Sequence, residues 1–336
     1  MIIKTCEIEE PDLRILTLRR LLAAGLCSAA SAFTIQAQEY PTKPIRMLVP
    51  FPPGGPGEVI ARPAAEGLQA AIGQPVIVDF RPGAGAIPAA QALLSAPADG
   101  YTLLVGSSVL VLAKTLFKNL PYDLQRDLRT VVGLASSPYL VLVPASFPGS
   151  TLADLVKAAK DQPGKLNYAS SGAGTQSHIA AELLNDRAGI KLTHIPYKGA
   201  GGAFPALMAG EVTVFFDNVF SSTGHVKGGR IKPIGVTSLT RVEQYPALPT
   251  IDEQGLKGFE TSAWFGILVA KGVPDVIVAR LNDAFNKALQ SAAVRERYAT
   301  LGIAITGGTA EAFQAHIDRD LAVTGNIVRS AGITIN

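Results

Sequence analysis

Four short apolar runs in this chain each end in a glycine-bearing loop and reopen as a helical pattern. Ile45 to Pro50 runs into Phe51-Pro52-Pro53-Gly54-Gly55-Pro56-Gly57, and Pro75 to Asp79 into Arg81-Pro82-Gly83-Ala84-Gly85. Asn167 to Ser170 runs into Ser171-Gly172-Ala173-Gly174-Thr175, and Thr193 to Pro196 into Tyr197-Lys198-Gly199-Ala200-Gly201-Gly202. Strand, loop and helix repeated in this order predict an α/β fold built on a mainly parallel sheet. After the first loop, Ile60, Ala64, Ala65, Leu68 and Ile72 share one helical face, so a helix is expected over Glu58 to Ile72. Further helices are expected over Pro88 to Ser95, to Ala188 and to Met208. Tyr101 to Gly106, Leu140 to Pro144, Val212 to Phe216 and Ser262 to Ala270 read as strands. Thr151 with Asp154 reads as a capping box, and two amphipathic helices are expected over Pro274 to Thr300 and Thr309 to Gly332. The chain therefore divides into two α/β units, with crossovers near 137–143 and 259–266 and the C-terminal helices returning to the first unit.

Such loops suit an anion. Open α/β sheets bind ligands outside the carboxyl ends of their strands. Loop glycines let backbone come close, and helix N-termini supply unpaired N–H groups and a positive dipole end. The loops at 51–57, 82–86, 171–175 and 198–202 could thus ring an anion without arginine. None of them is a nucleotide motif: Gly83-Ala84-Gly85-Ala86-Ile87-Pro88 lacks the third glycine of a dinucleotide fingerprint, and the Gly-Lys-Ser/Thr ending of a phosphate loop is absent. An enzyme would need Ser171, His178 and Asp217 as nucleophile, base and orienting group. The stretch Ala169-Ser170-Ser171-Gly172-Ala173-Gly174 is not a Gly-x-Ser-x-Gly elbow, and a periplasmic serine hydrolase is only an alternative. His194, His225 and His316 show no metal-ligand spacing, so neither a metal nor another cofactor is expected.

Composition narrows the class. The 336 residues are 48% hydrophobic and 17% charged with a net charge of +3, which suits a well-cored globular protein and not a disordered one. There is no basic run of the kind that marks a nucleic-acid partner. Leu13 to Ala37 reads as a secretory signal, with Arg14, Arg19 and Arg20 ahead of the uncharged stretch Leu21 to Phe33 and cleavage expected near Ala37. The stretch is short for a membrane span, so no stable membrane insertion is expected after cleavage. Both cysteines, Cys6 and Cys27, lie in this leader, leaving a mature chain without thiols or disulfides.

Taken in order, these segments resemble one family. Tyr40-Pro41-Thr42-Lys43-Pro44-Ile45-Arg46 and Val49-Pro50-Phe51-Pro52-Pro53-Gly54-Gly55 look like the mature start of the Bug proteins, the periplasmic solute-binding proteins of tripartite tricarboxylate transporters. The likeness continues through Ala98-Asp99-Gly100-Tyr101-Thr102-Leu103, Leu120-Pro121-Tyr122-Asp123, Ile195-Pro196-Tyr197-Lys198-Gly199, Tyr245-Pro246-Ala247-Leu248-Pro249-Thr250 and Trp264-Phe265-Gly266. It implies a two-lobed periplasmic binding protein of type II-like architecture, with a cleft between lobes at 38–138 with 262–336 and at 139–261. It implies capture of a small carboxylate, delivery to membrane permease subunits and no enzymatic activity, with presentation to a periplasmic sensor as the alternative. By motif position, Phe51, Gly54, Gly55, Gly83, Ala84, Ser107 and Ser108 would line the first lobe. Ser171, Gly172, Thr175, His178, Tyr197, Lys198, Gly199 and Asp217 would face them from the second. Two positions depart from the family: Glu58, usually Asp, which could reach into the cleft, and Ala86, usually Gly, which could stiffen its loop and narrow the pocket.

Overall fold

The computed structural model describes residues 40–54 and 56–334; the signal segment expected at 1–37 and Gly55 lie outside the described residues. Strands β1 (Ile45–Val49), β2 (Val76–Phe80) and β3 (Thr102–Ser107) lie parallel in the order β2-β1-β3, with α1 (Pro56–Ile72) and α2 (Ile87–Leu94) as their crossovers. Helix α3 (Ser108–Leu116) follows β3 directly. In the second lobe, β5 (Asn167–Ser170) lies parallel to both β6 (Thr193–Pro196) and β7 (Val214–Asn218). The connecting helices are α5 (Gln176–Ala188) and α6 (Ala200–Ala209); α4 (Leu152–Asp161) precedes β5 and α7 (Val219–Lys227) follows β7. These are the parallel units that the loop pattern predicts.

Between them the sheet is antiparallel. Strand β4 runs from Leu128 to Pro144, far longer than the expected Leu140 to Pro144. Its first half pairs with β9 (Ser262–Ala270), from Leu128 opposite Ala270 to Pro138 opposite Ser262. Its second half leaves that sheet and pairs with β7 and with β8 (Ile231–Val236). Gly133, Ser136, Ser137 and Pro138 read as turn residues, yet the strand is buried almost throughout, as a strand covered on both faces is. β10 (Ala304–Gly307) joins β4 as a further antiparallel neighbour. The last helical region breaks at Ser291, whose hydroxyl caps the N–H of Val294, giving α8 (Asp275–Leu289) and α9 (Ala292–Thr300) before α10 (Ala310–Ser330). The expected box at α4 forms: Asp154 N donates to Thr151 Oγ1 at 3.2 Å and Thr151 N to Asp154 Oδ2 at 3.0 Å.

Strand alternation sorts the core. Leu140 and Leu142 join Phe204, Leu207 and Phe215 on one face of the second sheet, whereas Val141 and Val143 join Tyr168, Val214 and Phe216 on the other. In the first lobe, Leu48, Leu93, Leu104, Trp264 and Phe313 form a separate cluster. Helix α10 belongs to both lobes, giving Phe313 and Ile317 to the first cluster and Ile327 and Val328 to the second. A row of glycines crosses the first sheet, with Gly266 opposite both Gly106 and Gly133 and Gly133 opposite Gly307. At Gly266 close approach requires it: a Cβ there would lie 2.2 Å from the Phe313 ring and 2.7 Å from the Val132 carbonyl.

Candidate ligand-binding cleft

The carboxyl ends of β3 and β7 and the loops after β1, β2 and β5 meet around a cleft of about 440 Å³. From the first lobe come Phe51, Ala84, Gly85, Ser107 and Ser108, and from the second Ala173, Gly174, Thr175, Gln176, Asn218 and Phe220. Tyr139 of β4 with Ala263 and Phe265 of β9 line it where the crossover strands pass. A larger groove of about 880 Å³ lies between α1 and α8–α9, but it takes nothing from the second lobe.

No lysine, arginine, histidine, aspartate or glutamate stands among the described residues lining the cleft. Its polarity comes from hydroxyls, amides and helix ends. Three helices begin there: α3 at Ser107, α5 at Thr175 and α7 at Asn218; α2 starts just beyond the lining turn Ala84–Ala86, with Ile87 N donating to the Ala84 carbonyl and Pro88 carrying no N–H. Every helix starts with backbone N–H groups that have no partner inside it. Ser107 satisfies one, its Oγ accepting from Val109 N at 3.3 Å. Ala86, Thr175 and Asn218 cap nothing with their side chains; the Thr175 hydroxyl donates instead to the Gly172 carbonyl at 2.8 Å. Two amide oxygens, Gln176 Oε1 and Asn218 Oδ1, are buried without a hydrogen-bond partner. Positive helix ends and first-turn N–H groups make a receptor for an anionic group, whereas the two amide oxygens, as acceptors, face a ligand donor or must turn over to serve an anion.

Of the residues singled out in the sequence, Phe51, Ala84, Ser107, Ser108 and Thr175 line this cleft. Gly83, Ser171, Gly172, His178, Tyr197, Lys198, Gly199 and Asp217 are not on its lining, and Gly54 borders the outer groove. His178 lies beneath the loop: its ring stacks on His194 at 3.8 Å and its Nδ1 accepts from Gly174 N at 3.0 Å. Burial and the neighbouring His194 push it down to about 4. Asp217, 4% exposed, accepts from the hydroxyls of Ser221 and Ser222 inside the first turn of α7, and burial pushes it up to about 6. Asn218, not Asp217, holds the N-cap position of α7. Glu58 does not reach the cleft; it accepts from Gly54 N at 2.5 Å and from Arg62 on the rim of the outer groove. Ala86 is the one described non-glycine residue with positive φ, at 56°, and is fully buried.

Ser171, His178 and Asp217 are not joined as a triad. His178 Nδ1 is taken by Gly174 and the Asp217 carboxylate by two serines. The serine–histidine hydrogen bond that does exist joins Ser170 Oγ to His194 Nε2 at 2.6 Å, and Ser170 is fully buried. Sequence reasoning missed Tyr139, Phe220, Ala263 and Phe265. The signal for three of them was the pair of crossover segments, which had to pass between the lobes and so had to border any cleft there.

Two lobes joined by crossover strands, with an uncharged cleft at the carboxyl ends of their strands, define a solute-binding protein. The particular family follows from comparison. Residues 60–333 match the model of the tripartite tricarboxylate transporter family receptor, and the chain belongs to that family. It is 41% identical over 305 residues to the "UPF0065 protein in tcbD-tcbE intergenic region" of Pseudomonas sp. strain P51, covering 90% of each chain. It is 34% identical to protein BugT of Bordetella pertussis, covering 94% of this chain and 99% of that one. Among solved structures, R. palustris Rpa4515 with adipate superposes with a TM-score of 0.74 at 31% identity, covering 88% of this chain and 99% of that one. No helix among the described residues is long and apolar enough to cross a membrane.

Proposed function

We propose that this protein is exported, with cleavage near Ala37, and captures a small carboxylate between lobes formed by 38–138 with 262–336 and by 139–261. The loaded protein docks on membrane permease subunits and catalyses nothing. The observation that carries this reading is the convergence of the N-termini of α3, α5 and α7, the last two uncapped by side chains, on a cleft without ionised residues. Carboxylate oxygens take the first-turn N–H groups and the hydroxyls of Ser107 and Ser108. Gln176 contributes by turning its amide over. In the structure Nε2 donates to Thr261 Oγ1 at 3.1 Å; after a half-turn the same hydroxyl donates to Oε1 and Nε2 is released to a ligand. Adipate in the Rpa4515 structure supports the ligand class. Gly54, Gly83, Ser171, Gly172, Tyr197, Lys198 and Gly199 shape the loops that carry these contacts, and His178 and Asp217 support them from beneath.

The test is a thermal-shift screen of the mature protein against mono-, di- and tricarboxylates. A ligand at 100 times its Kd adds about 2.7 kcal/mol to a protein that binds it only when folded. That raises Tm by several degrees in a chain of this size. Stabilisation by one carboxylate class is the expected result. Protein free of copurified ligand that responds to no carboxylate would sink the proposal.

A further inference from the structure

The apolar wall of the cleft narrows the ligand further. Phe51, Phe117, Tyr139, Phe220 and Phe265 turn toward it together with Leu112. Phe51 and Phe265 lie 6.1 Å apart at 57°, so the rings of the first loop and of the β9 crossover already form a tilted pair. Phe51, Phe117 and Phe220 are only half-buried, in contrast to core phenylalanines such as Phe215 and Phe285, which are fully buried. Apolar surface left facing a cleft gains about 25 cal/mol per Å² when a ligand covers it. Aromatic rings in tilted or edge-to-face contact gain about 0.5–1.5 kcal/mol beyond area.

The polar groups are confined to the helix ends. Gln176 is 7% exposed at the N-terminus of α5, and the Nε2 it can release by turning over joins the first-turn N–H groups and the Ser107 and Ser108 hydroxyls as donors for carboxylate oxygens. The apolar wall offers nothing comparable. A ligand hydroxyl set against Leu112 and Phe117 gives up its water without a replacement, at a cost of about 1–3 kcal/mol.

Resting on the proposed carboxylate capture, we infer that the physiological ligand is a carboxylate with an apolar, unhydroxylated body, and not a hydroxylated di- or tricarboxylate. Isothermal titration of the mature protein with benzoate and adipate, and with malate and citrate, tests this. Adipate and malate carry the same charge, so their comparison isolates the body. The expected result is binding of benzoate or adipate at least tenfold tighter than malate and citrate. Phe117→Ala should weaken the apolar-bodied acid about tenfold and leave weak malate binding unchanged. Malate or citrate binding as tightly as benzoate and adipate, or tighter, overturns the inference and leaves carboxylate capture standing. An equal loss for both kinds of acid in Phe117→Ala, with the variant's Tm unchanged, also overturns it. Failure of all four acids to bind removes carboxylate capture and this inference together.

Discussion

His178 makes the second lobe sensitive to acid in a way that can be isolated. It is 7% exposed, stacked on His194 and held as the acceptor for Gly174 N, a bond that only the unprotonated Nδ1 can make. Its folded pKa is about 4, and an unfolded histidine titrates near 6.5. Between these values the unfolded chain binds the proton and the native one does not. The contribution of His178 is therefore intact above pH 6.5, is lost as pH falls from 6.5 to 4, and stays constant below. Linkage puts the loss at about 2 kcal/mol by pH 5 and about 3 kcal/mol by pH 4. Asp217 works in the opposite direction, because its pKa of about 6 lies above that of an unfolded aspartate. Native protein takes up that proton first, which returns about 1 kcal/mol by pH 5 and masks part of the histidine effect. The difference between wild type and His178→Gln removes the Asp217 contribution. Urea unfolding followed by Trp264 fluorescence at pH 7.5, 6, 5 and 4 measures it. The variant should lose less stability than wild type by about 2 kcal/mol on going from pH 7.5 to 5. A wild-type-minus-variant difference constant within about 0.5 kcal/mol across that range, a quarter of the change expected from linkage, refutes the assignment.

Two further outcomes follow from the site loops. Ala86→Gly should leave stability within about 1 kcal/mol of wild type, because relief of a left-handed alanine offsets the lost methyl burial; Ala89→Gly, equally buried but inside α2, should cost about 2 kcal/mol, and chemical denaturation yielding equal losses would refute the strain at Ala86. Asn218→Asp places a carboxylate beside the buried Asp217 at the N-cap of α7, so carboxylate affinity, measured by titration, should fall at least tenfold through like-charge repulsion, and Tm should fall at neutral pH and recover as the new group is protonated; unchanged affinity would refute the placement of the ligand at this helix end.

The local units were legible because each carries its own punctuation. Asn167–Ser170, Thr193–Pro196 and Ser262–Ala270 fall where the apolar runs and their glycine loops put them. β4 was half-read because glycine and proline are depleted in strands, and Gly133 and Pro138 are held in this one by the strands paired along it. β8 and β10 pair only with β4, so nothing local announces them. The same division holds for the cleft. Phe51, Ala84 and Thr175 sit in loops that advertise an anion site, whereas Ser107 and Ser108, at the junction of β3 and α3, were named only through the family resemblance. Leu112 belongs to the buried face of α3, Phe117 caps its C-terminus, and Tyr139 and Phe265 belong to buried strands, where any sequence reading assigns them to the core. His178 and Asp217 drew notice as ionisable groups near those loops, but burial turned both toward partners beneath the surface.

The cleft also suits a protein that must let its ligand go. A buried arginine–carboxylate pair would leave an uncompensated charge behind at each release, a loss of several kcal/mol. Helix ends hold an anion with about 0.3–1 kcal/mol apiece and are re-solvated by water when it leaves. The crossovers add a second property. Tyr139, Ala263 and Phe265, which line the cleft, lie on the strands that join the two sheets, so any rotation between lobes moves the wall against the ligand. Helix α10, packed into both lobes and tied to β9 by Trp264 Nε1 donating to Asp320 at 2.6 Å, limits how far that rotation can go. Under the proposed capture, a ligand that fills the apolar wall would stabilise one mutual setting of the lobes, and that setting would be what a docking partner reads.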